Sequence, residues 1–236
     1  DLAEVKAAYP DIECLLFPRD DDKAAFNLLY KLRDKFGKIA ISQEDVIRRE
    51  SIRAYHDAVG AGPVEGYTPE GFLQQAGGTL TLTFLKNPPD PRALELINKT
   101  NQFNLNGRRH TEASWQQYLS DPIVFMAVAS YEDKYGFLGK IAVLAGKIEG
   151  DDLMIDHWVM SCRAFSRRIE HGCLIGVLQK FSVNQVTFDF LETPRNRPIR
   201  DFLGELAGDS TLSNYSITRK QLFDTCPPVY LKIQEL

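Results

Sequence analysis

The sequence predicts an α+β fold within the broad α/β class: a mixed β-sheet flanked by helices over 79–236, preceded by a helical connector. Three observations predict it. Thr79–Leu85 alternates Thr with Leu or Phe, the period-two signature of a half-buried strand. Three apolar stretches, Pro122–Ser130, Phe137–Lys147 and Leu153–Ser161, follow one another across short polar turns at Glu132–Tyr135 and Gly150–Asp152. Ser166–Phe181 then gathers Ile169, Cys173, Leu174, Val177, Leu178 and Phe181 on one helical face, and another strand candidate follows.

Residues 1–78 read as helical and polar. Leu2–Tyr9 fits the end of a helix stopped by Pro10, and Ile12–Phe17 a short apolar strand. Asp20–Lys35 predicts a helix, because three acids open it and Phe26, Leu29, Tyr30 and Leu32 recur near helical spacing. Ser42–Asp45 resembles a capping box for a helix running to Ala58, which Gly60–Pro63 ends. Thr68-Pro69-Glu70 starts a short helix that stops at Gly77-Gly78.

Beyond the first strand, Asn87–Pro91 is a loop and Arg92–Thr100 a helix. Gly107 breaks the chain, and Thr111–Ser114 opens a helix to Leu119. After the Ser166 helix come a strand at Val186–Leu191, a helix at Arg197–Leu206, and strands at Ser213–Thr218 and Val229–Ile233. Three turn-linked strands and one crossover helix are not the alternation of a doubly wound sheet; they imply a mixed sheet containing one right-handed βαβ unit. This order matches the GNAT acetyltransferase fold, in which acyl-CoA pyrophosphate binds at the start of the crossover helix.

Composition narrows the function. The 236 residues carry 28 basic and 32 acidic side chains, a net charge of −4, with no electrostatic footprint for nucleic acid or an anionic membrane. No uncharged apolar run approaches the roughly 18 residues of a membrane span. No basic and apolar leader opens the chain, and there is no initiator Met, as expected of a processed chain or a piece of a longer one. Cys14, Cys162, Cys173 and Cys226 form no metal-spaced pair, and His56, His110, His157 and His171 lie far apart. Reduced thiols in the cytoplasm and no bound metal are therefore expected.

Candidate chemistry falls in three places. Cys162 lies between strand and crossover helix, where a helix start and Arg163 favour a thiolate able to hold an acyl group; a small buried hydrophobe is the competing reading. Asp156 and His157 adjoin on one strand, so alternation lets only one of them face a cleft as general base. Arg163, Ser166, Arg167, Arg168 and Ile169 surround a helix start suited to an anion, unless the arginines are solvated or pair with Glu170 and Asp156. A run of amides and cations, Asn98 to Arg109, offers either substrate contacts or a self-satisfied helix end.

That run, Lys99-Thr-Asn-Gln-Phe-Asn-Leu105 with Arg108-Arg109, resembles the K-T-N-Q-F-N-L and R-R elements of the FkbH family. Ser161-Cys-Arg163 through Glu170 resembles that family's S-C-R-x-x-G-R-x-[VI]-E. Glu192–Asn196 resembles its P-T-x-K-N, and Tyr131–Leu138 its D-x-[FY]-G turn. The resemblance implies an upstream HAD-like domain, whose tail and connector would be 1–78, joined to a GNAT-like domain at 79–236. It implies transfer of glyceryl or acyl groups on the phosphopantetheine of an acyl carrier protein, for polyketide extender units. Asn101, Gln102, Asn104, Arg108, Arg109 and Asn196 would then converge as a substrate pocket on the sheet cleft. A pantetheine arm, or coenzyme A, would enter where the crossover strands splay.

Two departures matter. The HAD nucleophile pattern D-x-D-x-[TV] is absent, since Asp20–Asp22 follows Pro18-Arg19 and reads better as a helix start. The phosphate loop, usually [QR]-x-x-G-x-[GA], here has Ser166 and Arg168 in place of both glycines. Two other functions compete: a non-catalytic module that docks the carrier, and a small-molecule N-acetyltransferase using acetyl-CoA.

Overall fold

The computed structural model describes residues 2–37, 46, 49, 69–208 and 215–236. The chain divides into two compact units, Asp1–Asp45 and Val46–Leu236. In the first, α1 spans Leu2–Ala8 and α2 spans Asp22–Phe36. Asp21 caps α2 by accepting from the Ala24 N–H at 2.9 Å, so the acidic run is a helix start. Glu13 pairs with Lys31 at 3.3 Å and with Lys35. Ile12–Phe17, expected as a strand, forms none, since among the described residues of this unit no strand offers it a ladder. The expected capping box at Ser42–Asp45, the helix to Ala58 apart from Val46 and Arg49, which are helical, and the Gly60–Pro63 stop lie outside the described residues.

The second unit is built on an eight-stranded mixed sheet. In chain order its elements are α3 (Pro69–Ala76), β1 (Gly78–Thr83), α4 (Pro91–Lys99), β2 (Phe103–Asn104), α5 (Glu112–Leu119) and β3 (Val124–Asp133). Next come β4 (Gly136–Glu149), β5 (Asp152–Met160), a 3-10 turn at Cys162–Ala164, α6 (Ile169–Lys180) and β6 (Gln185–Phe188). The last are α7 (Arg197–Ala207), β7 (Tyr215–Thr218), α8 (Arg219–Thr225) and β8 (Leu231–Glu235). The strands lie in the order β7-β6-β5-β4-β3-β1-β8, with β2 added beside β5. β3, β4 and β5 form an antiparallel meander, and β5 and β6 are parallel neighbours joined through α6. That is the expected GNAT-like arrangement of a crossover helix between adjacent parallel strands.

Two apolar layers cover the sheet. On one face α6 and α7 bury Ile169, Cys173, Leu174, Val177, Phe202 and Leu203 against Leu80, Leu144, Ile155 and Trp158. On the other, α4 and α5 bury Ala93, Leu96, Ile97, Trp115 and Leu119 against Met126, Val143, Ala145 and Val159. The two tryptophans are core residues, as their size and apolarity predict. α6 lies tight on β1, because a Cβ at Gly176 would sit 2.1 Å from a Leu82 methyl.

In the second unit three elements also differ from the sequence reading. α6 begins at Ile169 and not Ser166, because Ser166 (φ 65°) and Arg168 (φ 56°) take left-handed backbone that a helix excludes. The short strand β2 and the helix α8 were not expected. β2 is two residues long, too short to show a period. α8 has a capping box, Thr218 with Gln221, but only Leu222 is buried, so it lacks an apolar stripe.

Candidate active site

Along β5, Leu153, Ile155, Trp158 and Met160 belong to the α6/α7 layer, and Val159 to the α4/α5 layer. Strict alternation would put Asp156 and His157 on opposite faces. The pairing with β4 instead slips between Ala145 and Gly146: Ala145 faces His157, and Gly146 faces Ile155. Asp156 is the extra residue of a β-bulge, and both side chains consequently reach the α4/α5 face. The expectation that only one of them faces a cleft is corrected by this bulge.

The two side chains join each other and α5. His157 Nδ1 lies 2.7 Å from Asp156 Oδ1, and the Tyr118 hydroxyl donates to the same oxygen at 2.5 Å. His157 Nε2 lies 2.8 Å from Nε2 of His110, on the loop between β2 and α5. Asp156 and His157 are each 5% exposed, whereas His110 is half-buried. Trp115 and Tyr118 wall the pair, with ring centroids 5.4 and 4.8 Å from His157. Asn98 clamps the His110 backbone from both sides, accepting its N–H at 3.0 Å and donating to its carbonyl at 2.8 Å.

The hydrogen bonds assign the tautomers. A carboxylate only accepts, so Nδ1 of His157 carries the proton and its Nε2 holds the lone pair. His110 must then donate from Nε2, which leaves a lone pair on Nδ1. That atom lies 3.3 Å from Ser114 Oγ, whose proton can go instead to the Thr111 carbonyl at 3.1 Å. A row of protonated nitrogens thus links a buried carboxylate to a reachable basic nitrogen. Burial pushes His110 below the ordinary histidine value, and His157 and Arg108 push it the same way against Asp156, so it stays neutral and basic near pH 7. Burial and the Asp156 charge push the Tyr118 phenol far up, which keeps it a donor.

The other expected site residues sit elsewhere. Cys162 is exposed in the 3-10 turn, so the buried-hydrophobe reading is corrected, and no interaction among the described residues ties it to Asp156 or His157. Asn101 and Gln102 are exposed, and Arg109 donates to the carbonyls of Ile97 and Thr100 and to Asn101 Oδ1. Arg108 pairs with Asp189 at 2.6 Å. Asn104 and Asn196, 3% and 0% exposed, spend their amides on the backbone. The amide-rich run therefore does not converge on a pocket: its buried amides brace the chain, and the others face outward.

In the crossover loop, Ser166 and Arg168 keep left-handed backbone without glycine. The arginines bind acceptors other than the Glu170 and Asp156 that the sequence offered. Arg167 meets Asp133 at 3.4 Å and the Arg163 carbonyl at 3.1 Å. Arg168 holds the Pro228 carbonyl and Glu70, each at 2.7 Å, and Arg163 reaches the Lys140 carbonyl at 3.4 Å. Ile169 is fully buried, so only its backbone faces the loop. Among the described residues no group of three or more His, Cys, Asp or Glu side chains could hold a metal, and no helix is long and apolar enough to cross a membrane.

The site residues missed from sequence were His110, Tyr118 and Ser114. His110 is 47 positions from His157, and no local spacing connects them.

No family model and no curated protein matches the chain. Among solved structures it is similar to an IAA acetyltransferase from Bacillus cereus ATCC 14579, at 10% identity over 47% of this chain and 65% of that one, with a TM-score of 0.31. It is also similar to AtaTR bound with AcCoA, at 8% identity over 61% of this chain and 96% of that one, with a TM-score of 0.31. This chain thus spans a little under two thirds of the first neighbour's length. At these values neither likeness bears on activity.

Proposed function

We propose that this chain is an acyltransferase module of the GNAT-like kind, with His110 as its general base. The observation that carries the reading is the bulge-aligned row from Asp156 through His157 to His110. His110 Nδ1 takes the proton of an acceptor hydroxyl, thiol or amine as that atom attacks an acyl carbonyl. The new imidazolium donates from Nε2 to His157, whose Nδ1–H is held by the Asp156 carboxylate; as the tetrahedral adduct collapses, the donor's thioester C–S bond breaks and His110 Nδ1–H gives its proton to the leaving thiolate. A buried carboxylate at the far end stabilises the positive charge as it forms, and positioned bases of this type contribute roughly 10²–10⁴-fold in rate.

The acyl donor we assign is a glyceryl or acyl thioester on an acyl carrier protein, with an HAD-like domain upstream supplying the chemistry this chain lacks. The FkbH-like motifs support that finer reading, and 1–78 would be the tail and connector. The test is mass spectrometry of the chain incubated with acylated carrier protein and with acyl-CoA, in the presence of a nucleophilic acceptor. Transfer should occur, fall at least about a hundredfold in His110→Gln, and persist in Cys162→Ser. Full activity of His110→Gln would overturn the assignment. The second reading, a carrier-docking module without chemistry, is favoured by the loop arginines being engaged by the protein itself; carrier binding with no transfer would establish it.

A further inference from the structure

The parallel pairing of β5 with β6 covers only Asp152–Ile155 against Gln185–Phe188. One further bond, from the Asp189 N–H to the Ile155 carbonyl at 2.9 Å, closes it. Past the bulge the strands part. Such a fork exposes two rows of backbone groups, which an extended amide-bearing arm such as pantetheine can bridge in the manner of an added strand.

Here the chain's own residues occupy that place. Phe103 and Asn104 pair with Met160 and Val159, and Leu105 donates to the Trp158 carbonyl at 2.9 Å. On the other side the Leu191 N–H donates to the Leu105 carbonyl at 3.1 Å, and Asn196 donates to the Asn104 carbonyl at 3.0 Å. At the apex Asn106 ties both strands with one amide, donating to the carbonyls of Asp156 at 2.8 Å and Asp189 at 3.1 Å. Phe103 and Leu105 are 3% and 0% exposed, and Phe103 lies against Trp158 and Phe202, with centroids at 5.4 and 5.9 Å. The segment is saturated with hydrogen bonds and anchored in the core, so the fork does not fit a pantetheine arm.

We infer that Phe103–Asn106 fills the fork permanently and that a thioester substrate meets His110 from the α4/α5 face of the sheet, without passing between β5 and β6. This rests on the acyltransferase reading above and specifies how that same site takes its substrate. The open direction is set by His110: its half-buried ring, with Nδ1 3.3 Å from the exposed Ser114 Oγ, lies beside Trp115 and Tyr118 in the α4/α5 layer. The Asn-rich run is therefore a brace, and the substrate must be recognised by its acyl end and by whatever presents it at the surface.

The experiment combines two readouts on the intact chain, with S-acetyl-pantetheine and acetyl-CoA as probes. Imidazole ¹H–¹⁵N signals report on His110 and His157, and amide exchange reports on Leu105 and Leu191. The expected result is that the thioester shifts both imidazoles while exchange at Leu105 and Leu191 changes by less than about twofold. Imidazole shifts accompanied by roughly tenfold faster exchange, or by loss of the Leu105 bond, would overturn the inference and leave the acyltransferase reading standing. Imidazoles unmoved by either probe, with no acyl transfer, would remove the reading and the inference together.

Discussion

Gly146 and Met154 approach so closely across β4 and β5 that a Cβ at position 146 would lie 2.0 Å from the Met154 carbonyl oxygen. The same Cβ would lie 2.9 Å from the Ile155 Cα. This is the spot where the register slips and Asp156 is squeezed out as the extra residue. Absence of a side chain at 146 is thus part of how two consecutive acid–base residues come to share a face. Gly146→Ala should destabilise the fold by about 2 kcal/mol or more, since rigid backbone must yield. Urea denaturation measures that loss, and the His110–His157 imidazole coupling should disappear in the fraction still folded.

The acid limb of activity should belong to His110. Its folded value lies below the ordinary one, so the rate should hold as pH drops to about 6.5 and fall only below it. Stability follows the same group with a definite sign. Between the folded value and about 6.5 the unfolded chain binds more protons, so lowering pH through that window destabilises, and below the folded value the loss stops. His110→Gln should flatten that segment of the stability curve. A rate that declines with a midpoint above the ordinary histidine value would count against the row of hydrogen bonds as drawn.

Tyr118→Phe removes one of two donors to Asp156 Oδ1 and leaves the aromatic wall in place. The cost should be about 1–3 kcal/mol, because the lost bond ends on a buried carboxylate. With less of its charge spent on Tyr118, Asp156 should hold a proton on His110 more strongly. The His110 titration, followed by NMR, should therefore move upward.

Ser166 and Arg168 both occupy backbone that favours glycine. Ser166→Gly should stabilise by about 1 kcal/mol, since Ser166 is exposed and only strain is removed. Arg168→Gly should gain less, because the same change deletes the bonds to Pro228 and Glu70. Loss of those bonds should also let Glu70 titrate higher, since Arg168 supports its depression behind the residue's own backbone bond. Paired thermal melts of the two variants separate the strain from the contacts.

Asn106→Ala should be the most damaging change in the Asn-rich run. It leaves the carbonyls of Asp156 and Asp189 without their shared donor, a cost of about 2 kcal/mol or more. Asn101→Ala, on the exposed end of the run, should be nearly silent in the same denaturation assay, apart from loosening Arg109.

Patterns that repeat within one element were open to sequence reasoning. The alternation at 79–85, the apolar meander and the stripe from Ile169 to Phe181 located the sheet and its crossover helix within a few residues, because burial on one face imposes a period on the chain. Composition likewise carried the acidic balance. The short brace at 103–106 was legible only as polarity: nothing in five neighbouring amides says which will be buried and which will face water.

What the sequence determined by itself is therefore the layered sheet, whose energetics are local and periodic. The site was decided by tertiary structure. A single-residue slip opposite Gly146 brings Asp156 and His157 to one face, and a loop 47 residues away completes the row with His110. Alternation, read from the chain alone, forbids the first of these and is silent on the second. The physical reason is that a bulge depends on the strand across from it, and a long-range hydrogen bond on how the whole sheet folds, neither of which leaves a local period to read.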